Sequence, residues 1–307
     1  MTPDDNGSAV GHGPAGFAPQ WGHASATGRR TSNQDNFAVD PPNGLWLVAD
    51  GMGGHHGGEV AAAVTALTVV TEVRRHRSLH GAVRCAHAAL RELHEGGRAS
   101  MGSTVVAALF HGPRFEIAWV GDSRAYLWDG ELVPLSRDHS VVQELVDAGA
   151  ITEDEARSHP SRTVITQALG ATDRESVDVG VRFGRLAPGG RLLLCSDGLN
   201  GEVGDGEIAA VLDDAASAQE AADRLVALAL ERGGNDNVTV LIIGREEHAP
   251  GDDPVEIPDL GDTTSLDALD VLDDMEAESS RRRSLAYGLI AGMTLGLAVL
   301  AAKLIGS

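Results

Sequence analysis

The stretch Asp35-Asn36-Phe37-Ala38-Val39-Asp40-Pro41-Pro42-Asn43-Gly44-Leu45-Trp46-Leu47-Val48-Ala49-Asp50-Gly51 decides the fold. Residues 37–40 and 45–49 are short apolar runs separated by the turn sequence Pro41-Pro42-Asn43-Gly44, which reads as an antiparallel hairpin. Asp35 precedes the first strand and Asp50 follows the second. In a hairpin those positions share the open end, so both carboxylates reach one edge of the sheet.

Working outward, residues 115–120 and 125–128 read as a second strand pair, bent at Gly121-Asp122-Ser123-Arg124 with Asp122 at the turn tip. Residues 191–195 form a third apolar strand followed by Asp197, and residues 238–243 a fourth with Asp236 at its start. If these last two run antiparallel as neighbours, their acids meet at one edge as well. A single Asp at a strand end is ordinarily a turn or cap residue. Five of them beside glycines, at positions 35, 50, 122, 197 and 236, repel one another and call for a counter-charge that few nearby cations supply. Oxygen-only ligands select Mg²⁺ or Mn²⁺ over Zn²⁺, and no Cys or His cluster has zinc spacing, since the adjacent His55 and His56 point apart.

Between residues 22 and 244 strand-like and helix-like patterns alternate, so the 21–245 segment is expected to be the folded domain. Residues 60–73 and 82–94 read as helices, the second burying Val83, Ala86, Leu90 and Leu93. His76, His80, His87 and His94 are expected on helix faces or the surface. Cys85 and Cys195 fall in apolar patterns and are expected to be buried thiols in a reducing compartment. The glycines from Gly51 to Gly58 lack the Gly-Lys-Ser/Thr of a nucleotide loop, so they read as tight backbone packing around Gly51.

Taken as a set, Arg30-Thr31-Ser32-Asn33-Gln34-Asp35, Ala49-Asp50-Gly51-Met52-Gly53-Gly54, Gly121-Asp122-Ser123-Arg124, Ser196-Asp197-Gly198-Leu199 and Asn235-Asp236-Asn237-Val238-Thr239 resemble, in order and spacing, the bacterial branch of the type 2C (PPM) metal-dependent serine/threonine protein phosphatases. The resemblance covers residues 22–244, and 138–170 is similar to the bacterial flap region. It implies an α+β fold in which a central antiparallel β-sandwich is flanked by helices in αββα layers. It also implies hydrolysis of phosphoserine and phosphothreonine on proteins by a water activated between two Mn²⁺ or Mg²⁺ ions, with a third, weaker ion in bacterial members. Carried over residue by residue, Asp50 bridges both ions, the Gly51 carbonyl holds one, and Asp197 and Asp236 complete a shell. Asp35 acts through metal-associated water, and Arg30 grips the substrate phosphate. Asp122 and Asp197, with Thr163 of the flap, are the third-ion candidates. Gln34 departs from the family pattern, which usually has Glu there, and Met52, common in bacterial relatives, stands where eukaryotic members carry His, which leaves the proton donor to the leaving alkoxide unassigned.

The flanks differ in character. Residues 1–20 are rich in Gly, Pro and polar residues, lack the apolar core of a signal peptide, and are expected to be a flexible leader. Much of the formal net charge of -21 comes from 246–280, which carries thirteen carboxylates and no Lys or Arg. The segment 246–283 is therefore expected to be an acidic, disordered tether ending in the basic stop Arg281-Arg282-Arg283. Residues 284–305, uncharged from 285 to 302, are expected to form a transmembrane helix. The basic stop then places the catalytic domain in the cytoplasm under a single-pass membrane anchor. Gly288, Gly292 and Gly296 suit close packing of two spans, although glycine is common in membrane helices and the oligomeric state stays open. An acidic surface excludes nucleic acid as a partner. The expected partners are phosphorylated proteins, targets of a Ser/Thr kinase. Two other readings stay open: a catalytically weak phosphoprotein-binding member, motivated by Gln34, and a membrane-tethered adaptor that acts through its acidic tether.

Overall fold

Both faces of the 45–49 run are apolar, and both are buried. Leu45, Leu47 and Ala49 pack under helices, whereas Trp46 and Val48 point the other way into a second apolar layer. A strand with period-two side chains and no polar face needs cover on each side. The computed structural model describes residues 19–54, 56–95, 101–170 and 176–246. In chain order the strands are β1 (Gln20–Ala26), β2 (Asp35–Asp40), β3 (Leu45–Gly53), β4 (Met101–Ser103), β5 (Val105–His111), β6 (Arg114–Val120), β7 (Arg124–Trp128), β8 (Leu132–Pro134), β9 (Gly180–Arg185), β10 (Arg191–Cys195) and β11 (Val238–Gly244). The helices are α1 (Gly57–His76), α2 (Leu79–Glu95), α3 (Val141–Asp147), α4 (Glu153–Ser158), α5 (Asp197–Asn200), α6 (Asp205–Asp214) and α7 (Ala218–Arg232).

Among the described residues one sheet runs β1-β11-β10-β7-β8 and the other β2-β3-β5-β6-β9, with β4 pairing to the far end of β3; every pairing is antiparallel. The sheets face each other across a core that includes Trp46, Phe110, Ile117, Leu192, Leu194 and Leu241. Helices α1 and α2 cover the outer face of one sheet, and α6 and α7 that of the other. Alternation sorts each strand between the layers: in β10, Leu193 and Cys195 face helices while Leu192 and Leu194 face the opposite sheet. The αββα sandwich expected from the sequence is thus observed.

One strand pairing differs from expectation. β6 and β7 are consecutive but lie in different sheets, because the edge of β6 is taken by β9 and that of β7 by β10. Residues 121–123 cross between the sheets instead of folding back. Gly121 makes the corner at φ +104, where an added Cβ would come within 2.5 Å of the Thr104 methyl. Asp122 therefore sits at a buried crossover and not at an exposed turn tip.

Two further expectations are corrected. Cys85 is exposed, on the outer side of α2, and Cys195 alone is buried. His87 is buried, with its Nδ1 accepting from the Gly170 N–H at 3.2 Å, so that it ties α2 to the end of the flap. The expected leader up to residue 18, the tether beyond Glu246 and the span 284–305 lie outside the described residues. Among the described residues no helix is long and apolar enough to cross a membrane.

Candidate active site

The hairpin register pairs Asp35 directly with Asp50 at the open end of β2 and β3. β3 continues past Asp50 because β4 gives it a second partner, with Gly51 opposite Ser103. The backbone packs so closely here that a Cβ on Gly51 would lie 2.0 Å from the Gly58 carbonyl oxygen, and one on Gly58 would run into the Gln34 side chain. From the facing sheet, β10 ends at Cys195 and leads through Ser196 into Asp197, the first residue of α5, while Asp236 and Asn237 immediately precede β11. The two sheets thus bring their acids to one end of the sandwich.

These side chains surround a cavity of about 340 Å³. Asp50, Gly51, Asp122, Asp197 and Asp236 line it, with Arg30 and Thr163 also on its wall. Asp35 is not among the lining residues. It lies against this group, and its Oδ2 accepts from the Ser196 hydroxyl at 2.8 Å. The Asp50 carboxyl lies within side-chain hydrogen-bond reach of both Asp35 and Asp197, so these three acids meet at the base of the group.

Electrostatics set this group apart. Burial, followed by the charges of Asp35, Asp197, Asp122 and Asp236, holds the Asp50 carboxyl well above the usual carboxylate range. Asp197 is pushed up to about 8 by burial and then by Asp122, Asp236 and Asp35. Burial raises Asp35 to about 6 against the opposing hydrogen bonds from Thr239 and Ser196, and burial together with the Asp138 charge raises Asp122 to about 6. Arg30 is the one Lys or Arg on the cavity wall among the described residues. Buried Asp35 Oδ1 and Asp197 Oδ1 accept from no donor. Orphaned carboxylate oxygens in an all-oxygen donor set fit hard divalent cations such as Mg²⁺ or Mn²⁺.

Asn237, within a motif quoted above but given no role there, organises the Arg30 loop. Its Oδ1 accepts from the Gln34 N–H at 2.8 Å, and its Nδ2 donates to the carbonyls of Thr27 and Ser32, both at 2.9 Å. Arg30 then reaches Asp236, Nη2 to Oδ2 at 2.7 Å. Thr104 was also missed. Its hydroxyl accepts from the Asp50 N–H at 3.2 Å and shares a 2.7 Å hydrogen bond with Ser123, linking the segments that carry Asp50 and Asp122. A Ser-Thr pair at the junction of two short apolar runs is a faint signal, because its value depends on what the fold brings opposite it.

The family model described as protein phosphatase 2C matches residues 24–231. A protein phosphatase 2C-type protein of Streptococcus pyogenes is 37% identical over 234 residues, spanning 71% of this chain and 94% of that protein. The serine/threonine protein phosphatase PstP of Mycobacterium tuberculosis is 41% identical over 223 residues, which are 69% of this chain and 42% of PstP. A crystal structure of PstP superposes with a TM-score of 0.68 at 36% identity, covering 74% of this chain and 99% of that one. The PstP catalytic domain in complex with two manganese ions gives 0.64 at 35% identity, covering 74% and 97%. The matched span holds every cavity residue from Arg30 to Asp197, with Asp236 and Asn237 just beyond its end, and the chain belongs to the protein phosphatase 2C family of serine/threonine phosphatases.

Proposed function

We propose that the chain hydrolyses phosphoserine and phosphothreonine monoesters on proteins, using two divalent cations, Mn²⁺ or Mg²⁺, held by Asp50, the Gly51 carbonyl, Asp197 and Asp236, with Asp122 available to a third. The single observation that carries this reading is the cavity on which these four acids, one arginine and the flap residue Thr163 meet. The cations, when bound, supply an acidified water for attack on phosphorus and positive charge against the phosphoryl oxygens. Asp35 and Asp50 stay ionised beside them, because a paired cation removes the repulsion that otherwise favours their protonated forms. Asp35, fixed by Ser196 behind the cavity lining, would act through water associated with the cations. Arg30, whose guanidinium fork suits two phosphate oxygens, moves from Asp236 to the substrate. Thr163 and Ile165 bring the flap to the cavity wall, where a flanking peptide meets it.

The same proposal places the domain on the cytoplasmic side of a membrane, tethered through 246–283 to a span at 284–305 and opposing a Ser/Thr kinase there. Its support is the uncharged run and the Arg281–283 stop. Sedimentation of the full chain with membranes tests the anchor, and its recovery in the soluble fraction overturns it. For the chemistry, the purified chain is given Mn²⁺ and a phosphothreonine peptide. Phosphate release that disappears in Asp50→Asn supports the reading, and release no greater than with Mn²⁺ alone sinks it.

A further inference from the structure

The flap root and the crossover that carries Asp122 are joined through one residue, His139. The His139 N–H donates to the Gly121 carbonyl at 2.8 Å, and His139 Nδ1 accepts from the Gly121 N–H at 3.2 Å. Both hydrogen-bonding groups of Gly121 are thereby engaged by one residue. On its other side the His139 carbonyl accepts from the Thr166 N–H at 2.8 Å, and Val141 N–H donates to Val164. The returning flap segment, which brings Thr163 and Ile165 to the cavity, is therefore bonded to the residue that grips the peptide unit next to Asp122.

The neighbours of His139 hold it in place. Asp138 receives the planar fork of Arg124, Nε to Oδ1 at 2.8 Å and Nη2 to Oδ2 at 2.7 Å, in a largely buried pair. The Arg137 carbonyl accepts from Trp119 Nε1 at 2.7 Å, and the His139 ring stacks on Trp119 with centroids 6.5 Å apart. With Nδ1 accepting, the ring carries its proton on Nε2. Residues 137–139 thus have strand residues on one side and the flap on the other.

We infer that His139 is a positioning residue for the phosphatase reaction, holding the Asp122 crossover and the flap segment 163–166 in one fixed relation through its Nδ1 acceptor and its backbone. This rests on the functional reading above. It makes cation binding at Asp122 and reception of the peptide at the flap parts of a single adjustment: loosening one loosens the other.

Three variants of the full chain separate the acceptor from the ring. His139→Phe keeps an aromatic ring against Trp119 and removes Nδ1, whereas His139→Asn offers Oδ1 as the acceptor without the ring. His139→Leu removes the acceptor with less bulk and replaces the Phe variant should that one fail to fold. In metal-free protein, amide hydrogen exchange in residues 119–124 and in 160–168 should accelerate together in His139→Phe by about tenfold, the scale of one lost hydrogen bond. Calorimetry should show the weakest Mn²⁺ step weakened by a similar factor. KM for a phosphothreonine peptide should rise more than that for p-nitrophenyl phosphate, which has no flanking peptide to lay against the flap. His139→Asn should fall within about twofold of wild type on each readout. Unchanged exchange in His139→Phe, acceleration in only one segment, or an Asn variant as impaired as the Phe variant overturns the inference. A wild-type chain that takes up no Mn²⁺ and releases no phosphate defeats the functional reading instead, and the exchange measurement still decides the coupling.

Discussion

Arg30 and Asp236 form an ion pair at the cavity wall, with Nη2 and Oδ2 2.7 Å apart and side-chain exposures of 58% and 36%. A pair this exposed contributes little stability, about 0–1 kcal/mol, so Arg30 is available to exchange one anionic partner for another. Its natural alternative is a phosphate placed beside the same acid once a cation neutralises Asp236. Arg30→Ala should therefore raise KM for a phosphopeptide by roughly 10- to 100-fold, the value of a hydrogen bond to a charged group, with kcat and melting temperature nearly unchanged. Steady-state kinetics on both proteins reads this directly, and an unaltered KM removes Arg30 from the substrate site.

Without cations, the acid group makes the fold weaken as pH rises. Asp35 and Asp122 at about 6 and Asp197 at about 8 all lie above the ordinary carboxylate value. The native state then binds more protons than the unfolded chain between about pH 4 and pH 8, so unfolding free energy falls with increasing pH across that window. The penalty is absent below the unfolded value and complete above the folded one. Chelator-treated protein should lose melting temperature from pH 5 to pH 8, and Mn²⁺ should restore it most at the alkaline end. A melting temperature that climbs over this range in chelator contradicts the assignment.

The same repulsion predicts opposite effects on stability and activity from one substitution. Asp197→Asn removes a charge held beside Asp122, Asp236 and Asp35. The metal-free variant should melt higher than metal-free wild type at pH 8, while kcat drops by at least about 100-fold because a ligand is lost. Thermal melts with and without Mn²⁺, paired with phosphate release, test both halves. A metal-free melting temperature lower than wild type would show that Asp197 is held by contacts other than those around the cavity.

How much of this was readable in advance follows from the range of each signal. The Asp35–Asp50 pairing was legible because a four-residue turn and two apolar runs fix a local register. The β10–β11 neighbourhood was legible only as a condition, and the fold meets it. The β6–β7 pair was misread for a physical reason: two consecutive apolar strands look alike whether the chain folds back in one sheet or crosses to another, and the choice falls to β9 and β10, distant in sequence. β1 escaped notice because Gln20–Ala26 mixes polar and small residues and is made a strand by its partner β11. Acids announce a site by composition. The groups that aim them, Thr104, His139 and Asn237, do so through hydrogen bonds whose other halves lie far along the chain.

Asn237 gives the most direct test of that last class. It is 5% exposed, and its amide accepts from Gln34 and donates to Thr27 and Ser32, so one side chain holds both ends of the loop that presents Arg30. Its neighbour Asp236 receives Arg30, which ties the loop to the acid as well. Asn237→Ala leaves a part-buried N–H and two part-buried carbonyls to find other partners, at a cost of about 2 kcal/mol, or roughly 4–8 °C in melting temperature for a domain of this size. It also frees the Arg30 loop, so KM should rise as in Arg30→Ala even though no group that touches phosphate has been removed. Asn237→Asp separates the two effects. It keeps the acceptor for Gln34, loses the donors to Thr27 and Ser32, and adds a charge beside Asp236. If both variants melt like wild type and keep its KM, the loop is held by other contacts, and Asn237 has no part in placing the arginine.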